Sequence, residues 1–558
     1  MRLQLGADGR YYDCRVIDAT VLARIDATVR AEMERTDQPG VALGVTDSDG
    51  ALAVRSYGFA EVASGRPVGL DTLFETGSIG KSFTAIAVLQ LVDEGRCDLD
   101  APVAQYLPWL EIGQQPGDPP ITASHLLAHT SGIVTGIDAT PEAAFQAWSL
   151  RDLTTHSSPG ERFHYSNVGY KVLGLVLESV VGRPYRKIIE DRLLDPLEMR
   201  ATAPAVTHEI RERLAVGYGY LRDDRIGYSG APLAPAHWVL TETADGSIAS
   251  TASDMCAFIR MLLRRGEGPA GRLLSREAFA LMTTAHARDP SGMEYGYGLS
   301  MHEVDGRRLV GHRGGMVGYL AAMEMDPESG LGVIVLQNGV GTDPSALARA
   351  SLRIVGDGRR RSMPPVAEPS ARSAENVQIV PAGVYEPDEP GIEPIELISG
   401  DPPKLRVRMR DLSLAPLDEH DVFLAPDPGF DRYPIRIHRP ANGSPELWHG
   451  ARRYIRAGAP GRLLAEPPAT LREITGHYRS HNPWTSNFRI FLRGDQAWLM
   501  FPSPPQGFRT EQPLSPVSDG SFRIGDDGAS PERVRFDSIA DGRALRAWLS
   551  GWPYYRVE

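Results

Sequence analysis

Apolar positions recur at helical spacing over residues 16–35, and two short strand-like runs follow at 41–45 and 52–57. Residues 78–94 place Phe83, Ile86, Ala87, Leu89, Leu91 and Val92 on a broad apolar surface, and Gly95 supplies a stop. Further helices are predicted at 168–181, 185–196 and 253–264, and the unbroken apolar run 331–336 reads as a buried strand. Helices thus fall between flanking strands. That order predicts an α+β domain, with an antiparallel sheet covered by helices, over a regular βαβ alternation.

Periodicity is lost over residues 356–376, which are rich in Pro, Ser, Arg and Glu and read as a linker. Beyond it, short alternating segments such as 404–409 and 488–492, divided by Pro, Gly and Asp turns, predict one or two small all-β barrel modules. The expected division is 1–355, a linker over 356–376, then modules at 377–463 and 464–558. A faint repeat accompanies it: Gly383-Val384-Tyr385 and Gly476-His477-Tyr478 open two segments that close with Tyr454-Ile455-Arg456 and Tyr555-Arg556-Val557.

At 558 residues the chain exceeds one ordinary core, and 42% hydrophobic with 23% charged residues is a globular composition. A net charge of -12, from 71 acidic against 59 basic residues, argues against nucleic acid as a partner. Cys14, Cys97 and Cys256 are widely spaced and lack any C-x-x-C arrangement, which suggests neither a disulfide framework nor zinc and fits a reducing compartment. The first residues lack a basic stretch followed by an apolar one, and no apolar run reaches the length that spans a bilayer. The expectation is a cytoplasmic protein with no membrane partner and no cofactor. The number of copies is left open, a homodimer among the options.

The candidate chemistry starts from lysine. Only Lys81, Lys171, Lys187 and Lys404 occur, and Lys81 lies three residues after Ser78. Arginine cannot release its proton in a protein, whereas a lysine amine can, so Ser78-Ile79-Gly80-Lys81 pairs a nucleophile with a base. About 0.3 Ser-x-x-Lys matches are expected by chance. A capping serine with an exposed lysine one turn later is the bland alternative. Tyr165-Ser166-Asn167 is the one Tyr-x-Asn in the chain. Its phenol can carry a proton to a leaving group, and its amide can hold both the lysine and a substrate carbonyl. His312-Arg313-Gly314-Gly315 is a weaker third element, with about 1.4 His-x-Gly matches expected by chance.

In this order, Ser78-x-x-Lys81, Tyr165-x-Asn167 and His312-x-Gly314 resemble the three motifs of the penicillin-recognising serine hydrolases. Residues 121–133 (ITASHLLAHTSGI), 246–255 (GSIASTASDM) and 311–319 (GHRGGMVGY) support the likeness, which covers roughly residues 17–345. The Tyr-x-Asn form resembles the branch of class C β-lactamases, β-lactamase-type esterases and D-aminopeptidases. The resemblance implies a β-lactamase/transpeptidase-like catalytic domain in which Ser78 attacks a carbonyl carbon, Lys81 and Tyr165 share its proton, and the backbone N–H groups of Ser78 and Gly315 form the oxyanion hole. Asn167, His312, Arg313 and Gly314 would support or bind substrate. True β-lactamases and DD-peptidases usually carry Lys-Thr-Gly or Lys-Ser-Gly at the third motif. His312 stands there instead, as in the esterase and aminopeptidase relatives, which puts strong β-lactamase activity in doubt. Arg313 departs from the usual small middle residue; it either offers charge to a substrate carboxylate or bonds an acidic neighbour.

Other sites are weaker. His125 and His129 have helical i, i+4 spacing without the Glu of H-E-x-x-H, and His477 and His481 fall in a turn-rich β region, so no metal is expected. No G-x-S-x-G elbow and no phosphate-binding loop occur. A hydrolase followed by β-modules resembles the three-domain plan of D-aminopeptidases, in which a β-module loop restricts the acyl side. Residues 480–488 (SHNPWTSNF), around Trp484, are the candidate loop, with burial in their own barrel as the alternative. The leading expectation is a serine hydrolase cleaving amide bonds of small peptides. A carboxylesterase, a peptide acyl-transfer or cyclisation enzyme, and a noncatalytic peptide-binding homologue are the alternatives.

Overall fold

The run 331–336 becomes the middle of a nine-stranded antiparallel sheet because its residues are apolar on both sides, as a strand covered on both faces requires. In a computed structural model of the chain, which describes residues 2–5, 11–14, 17–136, 142–155, 157–359, 380–417, 421–440, 443–461, 463–504 and 508–557, the sheet is built from β1 (Gly40–Asp47), β2 (Ala51–Glu61), β3 (Arg66–Pro67), β4 (Ala287–Arg288), β5 (Glu294–Tyr295), β6 (Ser300–Val304), β7 (Arg307–Met316), β8 (Tyr319–Asp326) and β9 (Leu331–Gln337). The order is β4-β5-β6-β7-β8-β9-β1-β2-β3. N- and C-terminal strands therefore meet at β9 and β1, where Val335 pairs with Leu43.

Alternation along these strands sorts two cores. Leu331, Val333 and Val335 join Val41, Leu43 and Val45 beneath α1 (Ala19–Thr36). Ile334, Leu336, Met323 and Ala321 face the other way, into the larger core formed with α2 (Gly80–Asp93), α3 (Asn167–Val181) and α4 (Ala252–Leu263). A final helix, α5 (Pro344–Arg359), packs on the same side as α1. The α+β architecture expected from the sequence is the one observed.

The central helix α2 is buried on every side from Gly80 to Leu89, so its polar residues there must find partners inside the core. Phe83 stacks on Phe258 of α4 at 3.9 Å, and Ser82 and Thr84 spend their hydroxyls on the main-chain carbonyls of Gly298 and Ala244. Some boundaries differ from expectation. Ser78 lies in a 3-10 turn, Gly77–Ile79, ahead of α2. The helix expected over 185–196 is helical over Tyr185–Ile189 and then widens into a π turn, Glu190–Leu194. Val16, the side chain of Cys14, and linker residues 360–376 lie outside the described residues, while 356–359 belong to α5.

Contacts divide the chain into two units: Met1–Leu221 with Pro232–Met363, and Arg222–Ala231 with Pro364–Glu558. Among its described residues the second unit is all β apart from one short helix. Nine strands between Gly383 and Arg456 form a sheet whose first strand pairs with its last, Tyr385 opposite Arg456. Eight strands between Gly476 and Arg556 form a closed barrel, with Tyr478 opposite Arg556. Both tyrosines donate to the carbonyl four residues earlier, Pro381 and Ile474, so the faint sequence repeat marks a repeated closure. Inside this unit the excursion Arg222–Ala231 buries Ile226 against Leu424, Phe491 and Met500, pairs Arg225 with Asp431 at 2.7 Å, and gives Asp223 to Arg479 and Ser486. Glu511, fully buried, sits between Arg436 at 3.1 Å and Arg493 at 2.7 Å. The loop 480–488 is fastened inside its own unit: Asn482 accepts from the N–H of Trp484, Tyr554 donates to Thr485, and Phe488 packs on Tyr554. Trp484 is half-buried.

Candidate active site

The nucleophile candidate is aimed by its turn. Gly77 takes a φ of +54°, which strains any side-chain-bearing residue, and a Cβ there would come within 2.6 Å of the Gly315 nitrogen. A Cβ on Gly314 would meet the Thr76 carbonyl at 1.8 Å and approach the Ser78 nitrogen to 3.2 Å. The end of β7 therefore lies flush against the Ser78 turn only because both positions lack a side chain. Gly315 is thereby set beside the Ser78 turn, at the start of α2, where the helix dipole favours developing negative charge. On the β6 side the pairing of β7 ends at Gly311, opposite Ser300.

Lys81 follows one turn later. Its Nζ donates to Ser78 Oγ at 3.1 Å, to Asn167 Oδ1 at 2.8 Å and to the main-chain carbonyl of Asp245 at 2.8 Å. The amine is completely buried, and none of these three partners is a carboxylate. Ser166 caps α3 through the Gly169 N–H, which fixes Asn167 as the first residue of that helix. Tyr165, just before it, is 7% exposed, and its ring centroid lies 5.0 Å from Lys81 Nζ.

Strand parity decides the third motif. His312 shares the face of Val310, toward the helices, and is buried. Arg313 turns to the opposite face, exposed, and pairs with Asp343 at 3.3 Å just before α5. The arginine is thus not gathered with Ser78, because successive side chains of a strand point to opposite sides. The Nδ1 of His312 is 2.6 Å from the Arg313 carbonyl, and a carbonyl can only accept, so Nδ1 carries the proton and Nε2 accepts from the Tyr295 hydroxyl at 2.8 Å. Burial, then the charge of Lys81, holds the imidazole neutral down to about 3. Both ring nitrogens are occupied, and the ring is uncharged.

Sequence reasoning did not single out the aromatic wall around these groups. His129, fully buried at a φ of +56°, accepts from the Ser166 N–H at 3.0 Å and packs on Tyr165 at 4.2 Å and Tyr295 at 4.8 Å. Tyr170 donates to the Leu127 carbonyl. The signal available for His129 was its place in the supporting segment 121–133; Tyr295 carried none. His125 accepts from the Thr122 N–H in a capping box, and His477 bonds Asn487, so each has a structural partner. Among the described residues no group of three or more His, Cys, Asp or Glu could hold a metal ion. No helix among them is long and apolar enough to cross a membrane.

Residues 25–356 match the Beta-lactamase family. Penicillin-binding protein 4 of Amycolatopsis lactamdurans is 31% identical over 365 residues, covering 62% of this chain and 93% of that protein. Protein flp of Staphylococcus aureus (strain MW2) is 25% identical over 322 residues, 56% of this chain and 62% of flp. Among solved structures, the octameric penicillin-binding protein homologue from Pyrococcus abyssi superposes with a TM-score of 0.57 at 27% identity, covering 79% of this chain and all of that one. The chain belongs to the β-lactamase/transpeptidase-like family of serine hydrolases.

Proposed function

We propose that this chain hydrolyses amide bonds of small peptides through an acyl-enzyme on Ser78. The observation that carries the reading is the buried Lys81 amine, 3.1 Å from Ser78 Oγ and held by two neutral acceptors. Ser78 Oγ forms a bond to the substrate carbonyl carbon while its proton passes to Lys81 or Tyr165. The negative charge on the carbonyl oxygen rests on the N–H groups of Ser78 and Gly315. Collapse breaks the bond to the leaving amine, which takes the proton; water, deprotonated by the same pair, then releases the acid and frees Ser78. A neutral lysine near pH 7 needs its pKa lowered by about three units, or about 4 kcal/mol, and sharing the proton with Tyr165 reduces that demand.

The third motif narrows the substrate. With His312 neutral and bonded at both nitrogens, and Arg313 turned to the other face, the motif offers no cation to a substrate carboxylate. This supports peptides that present no carboxylate there, and weak turnover of β-lactams at most. It equally favours an ester substrate, and an alkoxide leaves more readily than an amine. Burial of the cysteine side chains of Cys97 and Cys256 fits the reducing, cytoplasmic setting expected from the sequence.

The test is wild type and Ser78→Ala against L- and D-aminoacyl nitroanilides, short acyl esters, N-blocked peptides and a chromogenic cephalosporin. Amide cleavage that Ser78→Ala abolishes supports the reading; turnover of esters alone moves it to a carboxylesterase, and full activity in Ser78→Ala sinks it.

A further inference from the structure

Of the four lysines in the chain, two are buried in one network. Lys171 lies one turn after Asn167 on α3, so the two side chains share a face. Asn167 accepts from Lys81, while Lys171, 2% exposed, donates to Gln146 Oε1 at 2.9 Å and stands 3.7 Å from the carboxylate of Asp245. Asp245 closes the ring, because its main-chain carbonyl accepts from Lys81 at 2.8 Å. The two acceptors that cradle the Lys81 amine are therefore fastened to each other through Lys171.

Stability alone does not account for such a pair, since a buried ion pair commonly contributes no more than well-packed apolar residues of the same size. Its electrical position is more informative. Burial, with Lys81 second, holds His129 well below the usual imidazole range, and His312 is likewise neutral. Burial keeps the Tyr170 phenol, whose ring lies 5.6 Å from Lys81 Nζ, protonated far above its usual range, and Tyr165 is the remaining titratable neighbour on that side. The ion pair tied to the amine through the Asp245 main chain then brings two opposite charges to its network: Lys171, which disfavours its protonation, and Asp245, which favours it.

We propose that Lys171 and Asp245 are positioning residues for Lys81, holding the Asn167 amide and the Asp245 carbonyl around the amine and balancing the charge it feels. The proposal rests on the reading of Ser78 as nucleophile and Lys81 as its base. A purely structural pair would fail alike whichever partner is removed. An electrostatic one responds with opposite signs.

The experiment measures the rate constant for labelling of Ser78 by a fluorophosphonate between about pH 5 and 10, in full-length wild type, Lys171→Met, Asp245→Asn and the double variant, with circular dichroism on each. Lys171→Met leaves a carboxylate beside Lys81 and moves the acid limb up by about one pH unit, with about a tenfold loss of rate at pH 7. Asp245→Asn leaves a cation there and moves the limb down by a similar amount; the double variant returns it toward wild type. Limbs that stay fixed, or move the same way in both single variants, overturn the proposal. Should Lys171→Met fail to fold, Asp245→Asn decides, a fixed or raised limb overturning it. Labelling that survives Ser78→Ala sinks the underlying reading instead, whatever the limbs do.

Discussion

Tyr295 donates its hydroxyl to Nε2 of His312 at 2.8 Å, and with the tautomer already fixed by the Arg313 carbonyl this bond satisfies the remaining ring nitrogen of an imidazole that faces Tyr165. Tyr295→Phe leaves a buried acceptor without its donor, a loss of about 1–3 kcal/mol. The variant should melt several degrees lower and acylate about tenfold more slowly, and ring-nitrogen NMR should show His312 more easily protonated than in wild type. A ring signal unchanged from wild type would mean that the hydrogen bond does not help hold His312 neutral.

Lys81→Arg keeps the charge and forfeits the base. Acylation should fall by about a hundred- to ten-thousandfold, since arginine does not give up its proton near neutral pH and the loss of a positioned base costs two to four decades. An active Lys81→Arg enzyme would make Tyr165 the principal base.

Stability should pass through a maximum near neutral pH. On the acid side, burial lowers His312 to about 3 and His449 to about 4, so the unfolded chain binds protons first as pH drops below 6.5 and the fold is weakened progressively. On the alkaline side Glu75, buried on the strand leading to Ser78, is raised to about 8, so the unfolded chain loses its proton first and stability falls as pH rises from about 4.5 to 8. Glu75→Gln should remove that second slope and stabilise the catalytic unit by about 4 kcal/mol at pH 8, which urea titrations at pH 6 and pH 8 would measure.

In the second unit, Glu511→Gln leaves Arg436 and Arg493 without their shared buried anion. A cost of about 3–5 kcal/mol is expected. The guanidinium of Arg493 lies 4.7 Å from the Trp498 ring and 5.8 Å from that of Trp448, so tryptophan fluorescence during denaturation reports the change.

The motifs of the site were legible because each packs its chemistry into a few neighbouring residues: Ser78 with Lys81 along a helical turn, Tyr165 with Asn167 across a cap. What links the motifs was not. Asp245 enters through a main-chain carbonyl, which any residue type provides, and Tyr295 reaches His312 from a strand 17 positions earlier. Lys171 could have been found, since its rarity and its spacing of four from Asn167 are both visible in the chain. Arg313 could have been excluded as well, because the parity that puts His312 over the helices sends the next side chain away. The helices and the central strands followed from periodicity, whereas the π turn after Ile189 left no periodic trace. The closing tyrosines of the two β-modules did leave one, as the paired Gly-x-Tyr openings.

The excursion Arg222–Ala231 constrains how this protein could have arisen. Ten residues encoded within the hydrolase sequence supply Ile226 to an apolar cluster, and Asp223 and Arg225 to ion pairs, of the unit that otherwise begins more than 130 positions later. A gene fusion at one junction cannot create that arrangement, nor can a stop codon near residue 363 cleanly undo it. Ancestors lacking the β-modules should carry a shorter or differently patterned loop between Leu221 and Pro232, and any recombination that exchanges the modules must exchange this loop with them.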